Sequence, residues 1–136
     1  MTIAKFLIID DEPDMCWALH HVLENHGFVA VVGFTAQEAL EEMASNGFHM
    51  AFLDAKLPDM DGLELARQIR RINPEVRIVM ISGYFYRDDA SVQKALEDGL
   101  ISDFISKPFQ NDEILGIIKT LYPDGAQNLL MFPHPM

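Results

Sequence analysis

Apolar residues in this chain follow two rhythms that take turns. Short dense runs cover Lys5 to Ile9, Phe28 to Phe34, Phe48 to Asp54, Val76 to Ser82 and Asp103 to Ile105. Each is bounded by Asp, Gly, Pro or Ser. Runs of this length, rich in branched aliphatics and aromatics, predict buried strands. Between them apolar positions recur every three or four residues, the spacing of a helix with one face toward a core. Asp14 as a cap and Ala18, Leu19, Val22 and Leu23 as an inward face predict a first helix to His26, ended by Gly27. Thr35-Ala36-Gln37-Glu38 has the capping-box pattern and opens a second helix, with Ala39, Leu40 and Met43 inward and Asn46-Gly47 at its close. Asp61-Gly62-Leu63-Glu64 opens a third, with Leu65, Ile69 and Ile72 inward, stopped at Asn73-Pro74. Asp88 is placed to cap a fourth that carries Val92, Ala95 and Leu96 and ends at Gly99. The last, from Gln110 to Leu121, aligns Ile114, Ile117, Ile118 and Leu121.

Strands and helices therefore alternate, and most strands are apolar on both of their faces. That predicts an α/β fold: a three-layer, doubly wound, five-stranded parallel sheet in the flavodoxin-like order 2-1-3-4-5. Residues 1–122 are expected to hold this fold. Residues 123–136, with three prolines and the cluster Leu129-Leu130-Met131-Phe132, are expected to form a tail or linker.

Composition narrows the picture. A chain of 136 residues with 49% hydrophobic and 23% charged residues suits one globular domain rather than a disordered segment. No apolar run approaches the roughly 18 residues that span a bilayer. Phe6 to Ile9 is too short for a signal-peptide core and is cut by Asp10 and Asp11, so a cytoplasmic protein is expected. A formal charge of -11 opposes non-specific nucleic-acid binding, which needs surplus Lys and Arg. Cys16, the sole cysteine, cannot form an internal disulfide and is expected to be a small core residue. His20 and His21 are adjacent and so do not share a helix face; no paired-histidine metal site is suggested.

Candidate chemistry lies where the strands end. The first ends in Asp10-Asp11, the third in Asp54 and the fourth in Ser82, and the fifth leads into Lys107. Open parallel sheets bind ligands outside their carboxyl ends at the point where strand order reverses, here between the first and third strands. Three carboxylates brought together there repel one another, and an oxygen-only ligand set favours Mg²⁺. Lys107 and Ser82 add a positive charge and a donor, which suits an anion with several oxygens, such as a phosphoryl group. Asp54, kept ionised by cation and lysine, can act as nucleophile and form an acyl phosphate.

These residues together resemble the receiver domain of two-component response regulators, over roughly residues 4–122. The resemblance rests on Asp10-Asp11, Asp54 with Pro58 and Gly62 downstream, Ser82, and Lys107-Pro108. It implies that Asp54 accepts phosphate from a sensor histidine kinase or phosphotransfer protein. It implies Mg²⁺ held directly by Asp11 and Asp54, by Asp10 mostly through water, and by the backbone carbonyl of Lys56. It also implies a cis Lys107-Pro108 bond and a switch in which the Ser82 hydroxyl moves toward the phosphoryl group while Phe104 rotates inward. Phe104 stands where tyrosine is frequent, so any step that needs a phenolic hydroxyl is lost. Lys56 and Tyr84, two positions after the acceptor and the switch hydroxyl, are expected to overhang the site and tune hydrolysis. Gly83-Tyr84-Phe85-Tyr86 either packs locally or forms a partner-binding patch.

The expected function is a phosphorylation-activated signalling switch, not an enzyme beyond self-phosphotransfer and slow autodephosphorylation. The alternative is a Mg²⁺-dependent aspartyl-nucleophile phosphatase of the haloacid dehalogenase type. That class resembles D-x-D, and Lys56 occupies the position of its second acid. A flavin-binding module of the same topology is disfavoured because Asp10-Asp11-Glu12 would repel the cofactor's phosphate. The chain fits a stand-alone receiver or a piece of a longer regulator or hybrid kinase. A homodimer on phosphorylation would use the helix after Asp88, the fifth strand and the last helix, through Ser91, Gln93, Lys94, Asp98 and Asn111.

Overall fold

Five strands pair in parallel: β1 (Lys5–Ile9), β2 (Val29–Gly33), β3 (Met50–Asp54), β4 (Arg77–Ser82) and β5 (Asp103–Ser106). Their order, β2-β1-β3-β4-β5, is the one predicted. The structure is a computed structural model and describes residues 4–85 and 87–122; Tyr86 and the expected tail lie outside the described residues. Parallel neighbours need a crossover between them. Here the crossovers are α1 (Pro13–Asn25), α2 (Ala36–Ser45), α3 (Gly62–Ile72) and α4 (Ala90–Glu97), with α5 (Asn111–Leu121) closing the fold.

The two-residue period of a strand explains why the apolar runs are unbroken. Leu7, Ile9, Ala51, Leu53, Ile78 and Met80 face one core, with Ala39 and Met43 of α2, Leu65 and Ile69 of α3, and Val92 and Ala95 of α4. The residues between them, Phe6, Ile8, Met50, Phe52, Val79 and Ile81, face a second core with Leu19 and Leu23 of α1 and Ile114 and Ile118 of α5. Phe6 anchors that second core, 4.8 Å from Phe28 and 6.3 Å from Phe52 between ring centroids.

Several local expectations need correction. α1 starts at Pro13 with Glu12 before it, so Asp14 lies inside the first turn and is not the cap. Proline suits that first position because its missing N–H needs no partner. Cys16, not Ala18, completes the buried stripe of α1, and Ala18 is exposed. Ile72 is exposed, being the last residue of α3 and beyond its final inward residue, Ile69. The residue preceding α4 is Asp89 rather than Asp88. The capping box of α2 is half formed. Thr35 Oγ1 accepts from the Glu38 N–H at 3.1 Å, but the Glu38 carboxylate turns to the Phe34 N–H at 2.7 Å.

That turn of Glu38 has a counterpart. Glu24 Oε2 accepts from the Ala30 N–H at 3.0 Å, so carboxylates from both flanking helices occupy N–H groups of the edge strand region around β2. Unpaired edge donors invite strand addition, and these two are taken.

Arg70 of α3 was not singled out from sequence, yet it ties two loops to the fold. It donates to the carbonyls of Leu100 (3.2 Å), Pro74 (3.1 Å) and Val76. Hydrogen bonds from a charged donor are worth about 1.5–3 kcal/mol each, discounted where water can replace them. Arg70→Met is expected to lower stability by about 2 kcal/mol, read from the urea midpoint; a change below about 0.5 kcal/mol would show the three carbonyls are adequately hydrated without it.

Candidate acidic site at the carboxyl rim of the sheet

Register sets the site. Ile9 pairs with Leu53, so Asp10 and Asp54 emerge side by side from adjacent strands. Ser82 pairs with Ser106, and the Lys107 N–H donates to the Ser82 carbonyl at 2.8 Å, which starts the lysine from the same rim. The Lys107-Pro108 bond is cis, as the resemblance implied.

Lys107 is the hub. Its Nζ lies 2.9 Å from Asp10 Oδ2, 2.8 Å from Glu12 Oε1 and 3.6 Å from Asp54 Oδ2. Asp10, Asp11, Glu12 and Asp54 each place one carboxylate oxygen within 4.8 Å of the others. Asp10 and Asp54 are buried, whereas Asp11 and Glu12 are exposed. Glu12 was not among the residues predicted for the site. Its only sequence signal was its place as third in an acidic run; the helix starting at Pro13 carries it back over Lys107.

Burial is the main force on Asp54 and raises its pKa to about 6, with the Asp10 charge adding to it; Lys107 and the Lys56 N–H oppose the shift. Burial alone would lower the Lys107 pKa, but its contacts with Glu12 and Asp10 outweigh it and hold the ammonium above the ordinary lysine range. Burial, then the Asp10 charge, pushes the Cys16 thiol up to about 11, so Cys16 stays protonated under the site. It donates to the Asp10 carbonyl at 3.2 Å and packs as the core residue expected.

The cluster fits a hard divalent cation. One ammonium faces two buried carboxylates, and Asp10 Oδ2 meets it as a charge contact without an aligned hydrogen bond. Acidic oxygens with exposed members at the mouth suit Mg²⁺, which keeps several of its waters.

The remaining predicted residues surround the cluster. Lys56 donates its N–H to Asp54 Oδ1 at 3.4 Å, and its ammonium lies 4.8 Å from the Tyr84 ring centroid. Together with Asp11, Glu12, Asp54 and Leu57, these two side chains line a cleft of about 280 Å³. Ser82 is fully buried at the end of β4, and its Oγ accepts from the N–H groups of Tyr84 and Phe85, both at 2.9 Å. Phe104 is 5% exposed and packs in the core beneath α4. Arg87, unmentioned in the sequence reading, donates to the Phe104 carbonyl at 3.1 Å and to Asp103 Oδ1 at 2.6 and 2.8 Å. It thus fastens the loop after Ser82 to β5.

Comparison with known proteins agrees with this geometry. The response regulator receiver domain model matches residues 6–119. Nitrogen assimilation regulatory protein NtrX of Azorhizobium caulinodans is 41% identical over 113 residues, which are 82% of this chain and 24% of that protein. Sporulation initiation phosphotransferase F of Bacillus subtilis is 29% identical over 119 residues, 88% of this chain and 94% of that one. A CheY-like receiver domain structure from Methanospirillum hungatei superposes with a TM-score of 0.83 at 25% identity, covering 93% of this chain and 98% of its own. The chain spans about a quarter of the length of NtrX and of the dicarboxylate transport regulator DctD of Rhizobium meliloti. With the order β2-β1-β3-β4-β5 and an acidic pocket at its switch point, this chain belongs to the response regulator receiver domain family, whose members are phosphorylation-activated signalling domains of two-component systems.

Proposed function

We propose that Asp54 accepts a phosphoryl group from the phosphohistidine of a sensor histidine kinase or phosphotransfer protein, and that the phosphorylated domain presents a changed surface. The observation that carries this reading is the buried Asp54 carboxylate 3.6 Å from the Lys107 ammonium, within an acidic cluster. An Asp54 oxygen attacks phosphorus in line, the P–N bond breaks, and its electron pair leaves with the imidazole nitrogen, which takes a proton from water. Lys107 offsets charge developing on the phosphoryl oxygens. Asp10, Asp11, Asp54 and the Lys56 carbonyl are the proposed holders of Mg²⁺, with Glu12 added by the geometry. Once bound, Mg²⁺ supplies further neutralisation of phosphoryl charge. Incubation with a small acyl phosphate is expected to add one phosphoryl group with Mg²⁺ and none with EDTA, read by intact mass. No addition with Mg²⁺ overturns the reading.

Ser82 is the proposed switch. Its oxygen already accepts two amides, so its own O–H is left to donate to a phosphoryl oxygen, and any movement is passed to Tyr84 and Phe85. Phe104, buried and joined through its carbonyl to Arg87, would register that movement at β5. The surface it alters includes Ser91, Gln93, Lys94, Asp98 and Asn111, all exposed, and a homodimer on phosphorylation is the proposed use. Residues 1–122 form the receiver unit and 123–136 a tail or linker in this reading. The proposed setting is the cytoplasm, without direct nucleic-acid or membrane contact; among the described residues no helix is long and apolar enough to cross a membrane.

A phosphatase with rapid turnover is disfavoured, because the position of its general acid holds Lys56, whose ammonium is engaged with Tyr84. That pair covers the cleft instead and would hinder an attacking water, leaving autodephosphorylation slow. Replacing Lys56 and Tyr84 together by alanine is expected to shorten the half-life of the label about tenfold. An unchanged half-life would remove their tuning role.

A further inference from the structure

We infer that Asp59 is a positioning residue for the phosphoacceptor site, acting by docking the loop after Asp54 onto the N-terminus of α2. This rests on the phosphoacceptor reading above. Both Asp59 oxygens are used: Oδ1 accepts from the Ala36 N–H at 2.9 Å and Oδ2 from the Gln37 N–H at 3.0 Å. Those amides belong to the first turn of α2, where N–H groups have no partner within the helix and the dipole favours a carboxylate. The two hydrogen bonds span 23 and 22 residues, so they join separate βα units.

α2 does not depend on them alone, because Thr35 caps the Glu38 N–H from within its own segment. At the loop tip, the other side-chain contact is the weaker one from Gln68 Nε2 to Met60 Sδ at 3.7 Å. Its base is closed by the Lys56–Asp61 bridge and the Gly62 N–H to the Ala55 carbonyl at 2.8 Å, and its turn by the Leu57 N–H to the Met60 carbonyl at 3.2 Å. Asp59 fixes the tip of that closed loop to α2, while the Ala55 N–H to the Ile81 carbonyl at 3.1 Å holds its base to β4. Lys56 rides on the loop, with its N–H toward Asp54 Oδ1 and its ammonium over Tyr84. Release of Asp59 therefore lets the Lys56 peptide drift from Asp54, and the proposed carbonyl ligand drifts with it.

The test compares Asp59→Ala, Asp59→Asn and Thr35→Ala with wild type. Magnesium affinity is measured by calorimetry, label half-life by intact mass, and stability by urea. Asp59→Ala is expected to weaken Mg²⁺ binding about tenfold, as loss of outer support for metal ligands does. It should also shorten the label half-life, while Asp59→Asn, which keeps one acceptor, falls between. Thr35→Ala removes a helix cap, so it should lower the urea midpoint and leave both site readouts unchanged. If Asp59→Ala leaves Mg²⁺ affinity within twofold of wild type, or Thr35→Ala reproduces its effect, the positioning role is refuted. Wild-type labelling serves as the separate check on the underlying reading: label on wild type with unaltered variants sinks only the role of Asp59.

Discussion

Asp54→Asn is expected to abolish labelling by a small acyl phosphate while making the magnesium-free domain more stable. The first effect follows from removing the only buried carboxylate oxygen pair proposed to attack phosphorus. The second follows from electrostatics. Burial, reinforced by the Asp10 charge, lifts the Asp54 pKa from 3.8 to about 6, so the folded state holds this proton more tightly than the unfolded chain. A raised carboxyl pKa favours the fold when the group is protonated and penalises it when ionised. The Asp54 contribution to stability therefore declines as pH rises from roughly 4 to 6 and stays at its lower level above that. At about 1.4 kcal/mol per pKa unit the ceiling is near 3 kcal/mol, and a gain of about 1–3 kcal/mol for the variant at pH 7.5 in EDTA is expected. Urea titrations of both proteins at pH 4 and pH 7.5 check the sign: the advantage of the variant should be small at the acid end and open above pH 6. Equal advantage at both ends would place its cause outside the ionisation of Asp54. Magnesium should narrow the gap by stabilising the wild type.

Gly62→Ala is expected to disable the site by a different route. A Cβ built there would lie 2.4 Å from the Asp54 carbonyl oxygen and 2.7 Å from the Ala55 Cα. Both atoms are backbone, one at the end of β3 that delivers the acceptor and one in the residue that follows it, so no side-chain rotation relieves the clash. Overpacking of a buried site costs about 1–3 kcal/mol, and backbone displacement puts this case at or above the upper end. Acyl phosphate labelling should fall with stability, because the strand end that moves is the one carrying Asp54. Gly116→Ala in α5 is the matched control: nothing lies within 4 Å of the added carbon, and it should gain about 0.5–1 kcal/mol from helix propensity. A neutral Gly62→Ala would mean β3 and α3 can separate without cost.

The sheet was legible because each central strand is buried on both faces, so its apolar run announces it without reference to its neighbours. Phe6 and Leu7, which enter different cores, look alike in sequence for that reason. Asp10, Asp54 and Lys107 were legible because strand order fixes where strand ends meet. What depends on side-chain destination was not. Glu38 has the capping-box spacing, yet its carboxylate accepts from the Phe34 amide, because the edge of β2 competes for it. Arg70 looks like any helix-surface arginine until three loop carbonyls are brought round it. Ile72 fits the periodicity of α3, but the helix ends there and the core does not reach it. Asp59 reads as a turn residue, and only the fold reveals that α2 starts within its reach.

The glutamates at the β2 boundary have a consequence for how copies of this domain can meet. With Ala30 and Phe34 amides already satisfied by Glu24 and Glu38, that margin offers an incoming chain a repulsive, acid-lined border in place of a template for lengthening the sheet. Self-association is thereby steered away from the β2 edge and toward the opposite side of the domain, where β5 lies.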